Sequence, residues 1–455
     1  MVTNNTIIIS MTSWAPRLDA VPKAFNAVIS QIEPDMDVHC VLVLSVEEFP
    51  QKKKELPKCI LDLPVEILWT KRNTRSHKKL MPTLKKYPNN PIIVIDDDTC
   101  QTSGWLRTFI EDHKKYPDDI IFGQSTSIVY VDLNNNIHEF RNGCCYEIPG
   151  EIAYTQKPAS GGSGTLFPPH TFHLSDFYDE DLMMKLSPTC DETWQWAFAM
   201  MEGKNFRALS KCNLPLFNEG CNQDDALIKT NIKTINNIHA AIAERFPKYK
   251  QELKNKQGTI TVALYSHDER LKTVHKTLES LASQNIKLNR IVLTIPKGQK
   301  ELLSEETRKL ERFGLVDIYE TSNKFKGCNK FLIPILKSPT NITIVVEDNY
   351  IYPIDMVYKL WIEHLIKPNA VIVGDCDENQ RAICKSGLLI PPSTIASSFN
   401  VKTLEDCADA PNALLNKLIE SAKLNLFKKL DITVERHSDL EDELDDPKIV
   451  KKIFK

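Results

Sequence analysis

The stretch Pro91–Asp98, PIIVIDDD, decides how the rest of the chain is read. Ile92, Ile93, Val94 and Ile95 form an unbroken apolar run. That predicts a strand buried on both faces, because a half-buried strand would alternate with polar residues. Asp96, Asp97 and Asp98 then fall at the C-terminal end of the strand, where open α/β sheets take their ligands. Three adjacent carboxylates repel one another and are most easily held together by a cation. Hard oxygen donors suit Mg²⁺ or Mn²⁺, which usually share their coordination with substrate phosphates. A solvated acidic turn is the competing interpretation.

Working outward, the length of 455 residues exceeds one ordinary core and predicts at least two domains. Basic and acidic residues nearly balance, 57 against 60, which argues against nucleic acid as a partner. No long apolar run suggests a membrane span, and no charged segment leads into an apolar one near Met1. The 12 cysteines lack metal-site or framework spacing and are expected to be reduced thiols of a cytoplasmic protein.

Strands alternate with helical patterns through the first half, which predicts a doubly wound, mostly parallel sheet. The first strand, from Thr6 to Ser10, runs into Thr12, Ser13 and Arg17. There, hydroxyls and a guanidinium fork can meet a nucleotide. A helix predicted over His77–Tyr87 carries Lys78 and Lys79 to the acidic strand, where they can neutralise a diphosphate. Later comes SGGSGTLFPP, from Ser160 to Pro169. Glycine is scarce in this chain, so Gly161, Gly162 and Gly164 point to close backbone approach or positive φ. The block PTCDETWQWAFAMM, from Pro188, places Asp191 and Glu192 at a helix N-terminus beside Trp194 and Trp196. Carboxylates there suit helix capping, and equally suit removal of a hydroxyl proton beside a sugar-stacking ring. Asn218, Asn222, Gln223, Asp224 and Asp225 form a polar cluster, and His239 follows as a candidate third metal contact.

The chain then repeats itself. TIIISMTSWAPRL from Thr6 is echoed by TITVALYSHDERL from Thr259, pairing Ser13 with Ser266 and Arg17 with Arg270. NITIVVEDN echoes the acidic strand and sets Glu347, Asp348 and Asn349 against Asp96, Asp97 and Asp98. Lys330 falls near the place of Lys78, SGLLIPP from Ser386 echoes SGTLFPP, and Asp409 falls opposite Asp191. These echoes predict two tandem domains, at 1–236 and 258–438, with an exposed helical linker at 237–257 and a charged tail at 439–455. The second copy has lost the third aspartate and most of the glycine-rich segment. It is therefore expected to keep the fold with its catalytic groups eroded and to serve binding, regulation or dimerisation, a second, differently tuned transferase site being the alternative. The tail leaves open a contact with a partner or a membrane surface.

Taken together, Lys79–Leu84, Asp96–Asp98, Gly161–Pro169, Pro188–Trp194 and Asn218–Asp225 resemble the ordered motifs of nucleotide-sugar glycosyltransferases with the GT-A fold. The likeness is to a bacterial branch linked to capsule and lipopolysaccharide synthesis. Glu192 stands where that branch usually has a second Asp, and Phe167 where Tyr is common. The resemblance implies two tandem GT-A-like α/β domains, the first catalytic and the second degenerate. It implies transfer of a sugar from a nucleotide-diphosphate donor, foremost a UDP-sugar, to a hydroxyl acceptor such as a glycan precursor, with inversion. Asp96 and Asp98, with His239, would hold Mn²⁺ or Mg²⁺. Thr12, Ser13, Arg17, Lys78, Lys79, Asp97, Gly162 and Ser163 would serve the donor, and Gly161 and Trp194 the acceptor sugar. Asp191 or Glu192 would be the base. A nucleotidyl- or phosphotransferase, and a non-enzymatic binding protein, remain the alternatives.

Overall fold

The apolar runs are strands, and their alternate residues feed two separate cores. Ile8, Val41, Val43, Ile92 and Val94 enter one cluster, while Ile7, Ile9, Leu42, Leu44, Ile93 and Ile95 enter another. That is why the runs do not alternate with polar residues: helices cover both faces of the sheet. Each such side chain, taken fully out of water, contributes about 1.5–3 kcal/mol. The computed structural model describes residues 2–454 apart from 133, 142–149, 151, 154, 159–161, 212–214, 219–226, 323, 339, 395–405, 429–430 and 439–444. Contacts divide the chain into two units, Met1–Gln257 and Gly258–Lys455.

The sheet of the first unit comprises β1 (Ile7–Thr12), β2 (Val38–Ser45), β3 (Glu66–Thr70), β4 (Ile92–Ile95), β5 (Ile120–Phe122), β6 (Ile152–Ala153), β7 (Thr165–Phe167) and β8 (Phe206–Ala208). Their order across the sheet is β3-β2-β1-β4-β7-β5-β8-β6. The pairs β1–β2, β2–β3, β1–β4 and β5–β8 are parallel, and β7 runs antiparallel to both β4 and β5. The second unit repeats this with β9 (Ile260–Tyr265), β10 (Arg290–Pro296), β11 (Val316–Thr321), β12 (Ile342–Val345), β13 (Val371–Cys376), β14 (Ala382–Ile390) and β15 (Leu426–Lys428). Their order is β11-β10-β9-β12-β14-β13-β15, the same path without the last short edge strand among the described residues. The chain is thus two tandem Rossmann-like α/β units with mostly parallel sheets.

One glycine in each unit makes the shared topology possible. A Cβ on Gly123 would lie 2.3 Å from the Ser163 carbonyl oxygen, and one on Gly374 would lie 2.4 Å from that of Ser386. At both places the neighbouring antiparallel strand passes too close for any side chain.

Four segments differ from their sequence expectation. The segment 237–257 is no exposed linker: helices Leu227–Arg245 and Pro247–Lys256 press Ile235, Ile238, Ile242, Tyr249 and Leu253 into the first unit's core. Those residues recur at helical spacing inside a stretch whose overall polarity hides them. The strand over Ser125–Val131 leaves the main sheet and pairs with Ile137–Arg141 and Gln156–Pro158 in a small antiparallel sheet. His77–Tyr87 is broken into a 3-10 turn, Arg75–Lys79, and a helix, Met81–Lys86, because Pro82 favours a helix start. The tail ends in a helix, Pro447–Ile453, whose Ile449 and Ile453 pack on the second core. Among the described residues no helix is long and apolar enough to cross a membrane.

His364 lies buried in the second unit, and burial pushes its pKa down to about 4. The unfolded chain takes up this proton near pH 6.5, whereas the folded chain resists until about pH 4. The second unit is therefore expected to lose up to about 3 kcal/mol as pH falls through that window. Urea titrations from pH 7 to 4 on wild type and His364→Gln check this; the variant should show the flatter profile.

Candidate active site

The C-terminal ends of β1 and β4 lie side by side, with Met11 in register with Ile95, so the residues that follow each strand share one edge. Ser13 donates its hydroxyl to Asp97 at 2.6 Å, and Arg17 reaches Asp97 at 3.1 Å and Asp98 at 3.4 Å. Asn218 clamps the acidic turn from outside. Its backbone N–H bonds the Asp98 carbonyl at 2.8 Å, and its side chain bonds the carbonyls of Asp97 and Ala20. Lys79 enters beneath and donates to Asp96 at 2.6 Å and to Asp191 at 3.1 Å, joining the acidic turn to the start of helix Asp191–Met201.

Electrostatics follow from this wiring. Burial opposes the Lys79 charge, but Asp191 and Asp96 more than restore it, so the ammonium persists. Burial also pushes Asp96 up; Lys79 pulls it back, while Asp98 and Asp191 push it further up. Asp191 has the opposite outcome: burial would raise its carboxyl, yet Lys79 and His77 hold it below the usual carboxylate range. Four acids, Asp96, Asp97, Asp98 and Asp191, thus gather around the cations Arg17 and Lys79, and the crowding is relieved in part by holding the Asp96 and Asp97 carboxyls above their usual range. Among the described residues no three acidic, His or Cys side chains converge into a ready metal cage. Asp97 is occupied by Ser13 and Arg17, so Asp96 and Asp98, with side chains 32% and 23% exposed, are the donors best placed for an ion. Two partly exposed carboxylates fit one hard divalent ion whose remaining positions go to substrate or water.

Several expected residues lie elsewhere. Lys78 is buried against Glu48 and does not face the acidic turn. Thr12 donates to the Val43 carbonyl on the neighbouring strand. His239 is wholly buried: Nδ1 bonds the Tyr249 hydroxyl at 2.7 Å and Nε2 bonds Glu139 at 2.9 Å, within a network that includes Lys157. With both ring nitrogens occupied, it is a packing group rather than a metal ligand. Trp194 is buried and donates to the Phe177 carbonyl, and Trp196 is buried beside Tyr249, so neither offers a sugar-stacking face. Phe217, 80% exposed, lies instead on a short strand paired with Thr99, directly after the acidic turn. Its sequence surroundings give no hint of that exposure.

Gly162 accepts from Gln101 at 3.0 Å, and Ser163 keeps a buried hydroxyl with no hydrogen-bond partner. Gly164, at φ 87°, passes so near Trp105 that a Cβ would lie 2.5 Å from the ring. Gly161 and the cluster Asn222–Asp225 fall outside the described residues. Glu192 lines a small cavity with Trp196 and Phe206 and accepts from the Cys190 thiol at 3.1 Å, with its charge still felt by Lys79.

The second unit repeats the wiring with different groups. Arg270 pairs with Asp348 at 2.7 Å, and Lys330 pairs with Glu347 at 2.7 Å and bonds Asn412 at 3.1 Å. Lys330 is therefore the counterpart of Lys79, not of Lys78. Helix Pro411–Ser421 starts as Asp191–Met201 does, and Asn412, one residue into it, takes against Lys330 the place that Asp191 has against Lys79. Asp409 lies two residues earlier and pairs with Lys326.

By sequence, no family model and no curated protein matches the chain. Among solved structures it is similar to S. aureus TarS residues 1–349, at 13% identity and a TM-score of 0.29, covering 46% of this chain and 59% of that one. The same TarS fragment in complex with UDP matches at 12% identity and TM-score 0.29, again over 46% of this chain and 59% of that one. Full TarS matches at 13% identity and TM-score 0.28, over 46% of this chain and 36% of its own. The chain thus spans little more than half of the TarS fragment, and a likeness this distant carries no argument about chemistry.

Two outcomes check this wiring. Lys79→Met leaves two carboxylates without their buried cation and is expected to cost about 3–5 kcal/mol in urea denaturation; an unchanged midpoint would show the bridge to be idle. His239→Asn is expected to destabilise the first unit while leaving Mn²⁺ affinity, read by calorimetry, as in wild type. A matching loss of affinity would restore it as a ligand.

Proposed function

We propose that the first unit is a glycosyltransferase that uses a nucleotide-diphosphate sugar, and that the second is a non-catalytic copy. The observation that carries this is the cluster of Asp96, Asp97 and Asp98 at the carboxyl edge of the first sheet, joined through Lys79 to the buried Asp191 at a helix start. The second unit keeps the cations of that edge and lacks two of its acids.

In this scheme Asp96 and Asp98 hold Mn²⁺ or Mg²⁺, which when bound acts as a Lewis acid on the donor diphosphate. Ser13 and Arg17 fix Asp97 and keep it from competing for the ion. Arg17 and Lys79 supply the remaining positive charge toward the departing dianion. Ser163, with its buried unpartnered hydroxyl beside the Gly162 turn, is left to bond the donor. Asp191 is tied to the acidic edge through Lys79, whereas Glu192 is engaged by the Cys190 thiol, which favours Asp191 as the group that takes the acceptor hydroxyl's proton. Lys79 keeps Asp191 ionised through the neutral range, as a base requires. Attack from the face opposite the leaving group inverts the anomeric centre. Phe217 is positioned to cover one side of an acceptor ring.

Binding of a panel of UDP-sugars and other donors, with and without Mn²⁺, tests the scheme. Asp98→Asn is expected to weaken metal-dependent donor binding at least tenfold, equivalent to about 1.4 kcal/mol. Unchanged binding would remove the metal role. Asp191→Asn is expected to lower kcat about a hundred- to ten-thousand-fold with donor affinity retained. Asp348→Asn should leave transfer nearly untouched, and comparable loss there would mean two working sites.

A further inference from the structure

Both units tie the turn that carries the bridging lysine to the segment leading into the following helix. In the first unit, His77 Nε2 bonds the Ser187 carbonyl at 2.7 Å and Lys79 pairs with Asp191. In the second, Cys328 precedes Lys330 by two residues, as His77 precedes Lys79. The Cys328 thiol donates to the Cys407 carbonyl at 3.7 Å, Lys330 bonds Asn412, and Lys326 pairs with Asp409. The contact is kept, but both residues at its centre differ: His77 and Ser187 in one unit, Cys328 and Cys407 in the other. A lone cysteine often does no more than fill a small apolar gap. Here two cysteines are in contact at one junction, from segments 79 residues apart in the chain.

We propose that Cys328 and Cys407 are a redox pair, and that a hydroperoxide converts them to a disulfide which locks the second unit's lysine turn to its helix start. Hydrogen peroxide takes two electrons from the first thiol, its O–O bond breaks, and a sulfenic acid and one water result. The second thiol attacks that sulfur. The S–O bond breaks as the S–S bond forms, and the hydroxyl leaves with the thiol proton as a second water. Both residues belong to one buried cluster, Cys407 being 7% exposed and Cys328 not at all. Burial pushes the Cys328 thiol up to about 12. Burial and Asp406 raise Cys407 too, with Lys452 pulling the other way. Cys407 is thus the thiol that a small oxidant meets first, and Cys328 resolves it. Few thiolates are present at neutral pH, so the pair rests as a dithiol and responds slowly. Cys384, in the same cluster, lies against Lys330 and lines the neighbouring cleft instead. Once formed, the bond fixes the spacing between the turn of Lys330 and the helix start of Asn412, both of which line that cleft. The second unit thereby gains a state set by oxidant, with no catalysis of its own required.

The inference does not depend on activity in the first unit. The full chain is treated with hydrogen peroxide under native conditions, its remaining thiols are blocked with iodoacetamide, and its peptides are read by mass spectrometry. A peptide pair joined through Cys328 and Cys407 is expected, and dithiothreitol should separate it. Amide hydrogen exchange over residues 412–415 is expected to slow about fivefold or more in the oxidised chain. In Cys328→Ser, whose hydroxyl can keep the bond to the Cys407 carbonyl, Cys407 should accumulate as a sulfenic acid that dimedone traps. In Cys407→Ser, Cys328 should stay reduced; circular dichroism confirms that both variants are folded. A wild-type chain that gives no such pair would overturn the proposal. So would a pair that appears only after urea is added, preferential linkage of either residue to Cys384, or exchange at the helix start that oxidation leaves unchanged.

Discussion

A single ammonium group, the Nζ of Lys79, ties the acidic turn after β4 to the first residue of helix Asp191–Met201. Without it, two carboxylates would face each other across a buried edge, and mutual repulsion would drive the helix start away or force one of them to take a proton. With it, Asp191 remains ionised and stays within one side chain of the strand end. Everything chemical that the first unit offers at this edge depends on that bridge. Its position is set by a break in the chain, where a 3-10 turn gives way to a helix just ahead of Pro82.

The duplication works as an internal comparison. Both units keep the bridge, Lys79 to Asp96 and Lys330 to Glu347, and both keep an arginine on the second acid of the turn. These contacts hold the turn and so are part of the fold. What differs is the third acid and the helix start, which serve no structural purpose common to the two units. Groups held in common are thus separated from groups that belong to one unit's chemistry. By that criterion Asp98 and Asp191 are the acids peculiar to the first unit, while Lys79, Arg17 and Ser13 hold the turn.

Beneath the helix that carries Asp191 lies a second polar system. Glu139, Lys157, His239 and Tyr249 are joined in the interior, with Thr193 and Cys190 touching it from the helix itself. A charged network so deeply buried contributes little net stability, but breaking one member leaves an unpaired charge in the core. It fixes the helix against the small antiparallel sheet and against the helices of residues 227–256. Glu139 and Lys157 thus support helix Asp191–Met201 from the segment between Gly123 and Pro168, which is much shorter in the second unit.

The sequence by itself determined the strands, the duplication and the acidic turn. Each is a local pattern: unbroken β-branched runs, recurring blocks in fixed order, and three carboxylates after a strand. It also pointed correctly to Ser13, Arg17 and Lys79 at that turn, since the residues after one parallel strand lie beside those after its neighbour. Only the tertiary structure decided between Lys78 and Lys79, which are adjacent in the chain but face Glu48 and Asp96 respectively. Only it buried Trp194 and His239, whose residue types fit a binding site and a metal site equally well in sequence. It also turned the apparent linker at 237–257 into core, because burial depends on what a helix face meets. Spacing along the chain fixes which side chains share a face; which partner covers that face is settled only when distant segments pack.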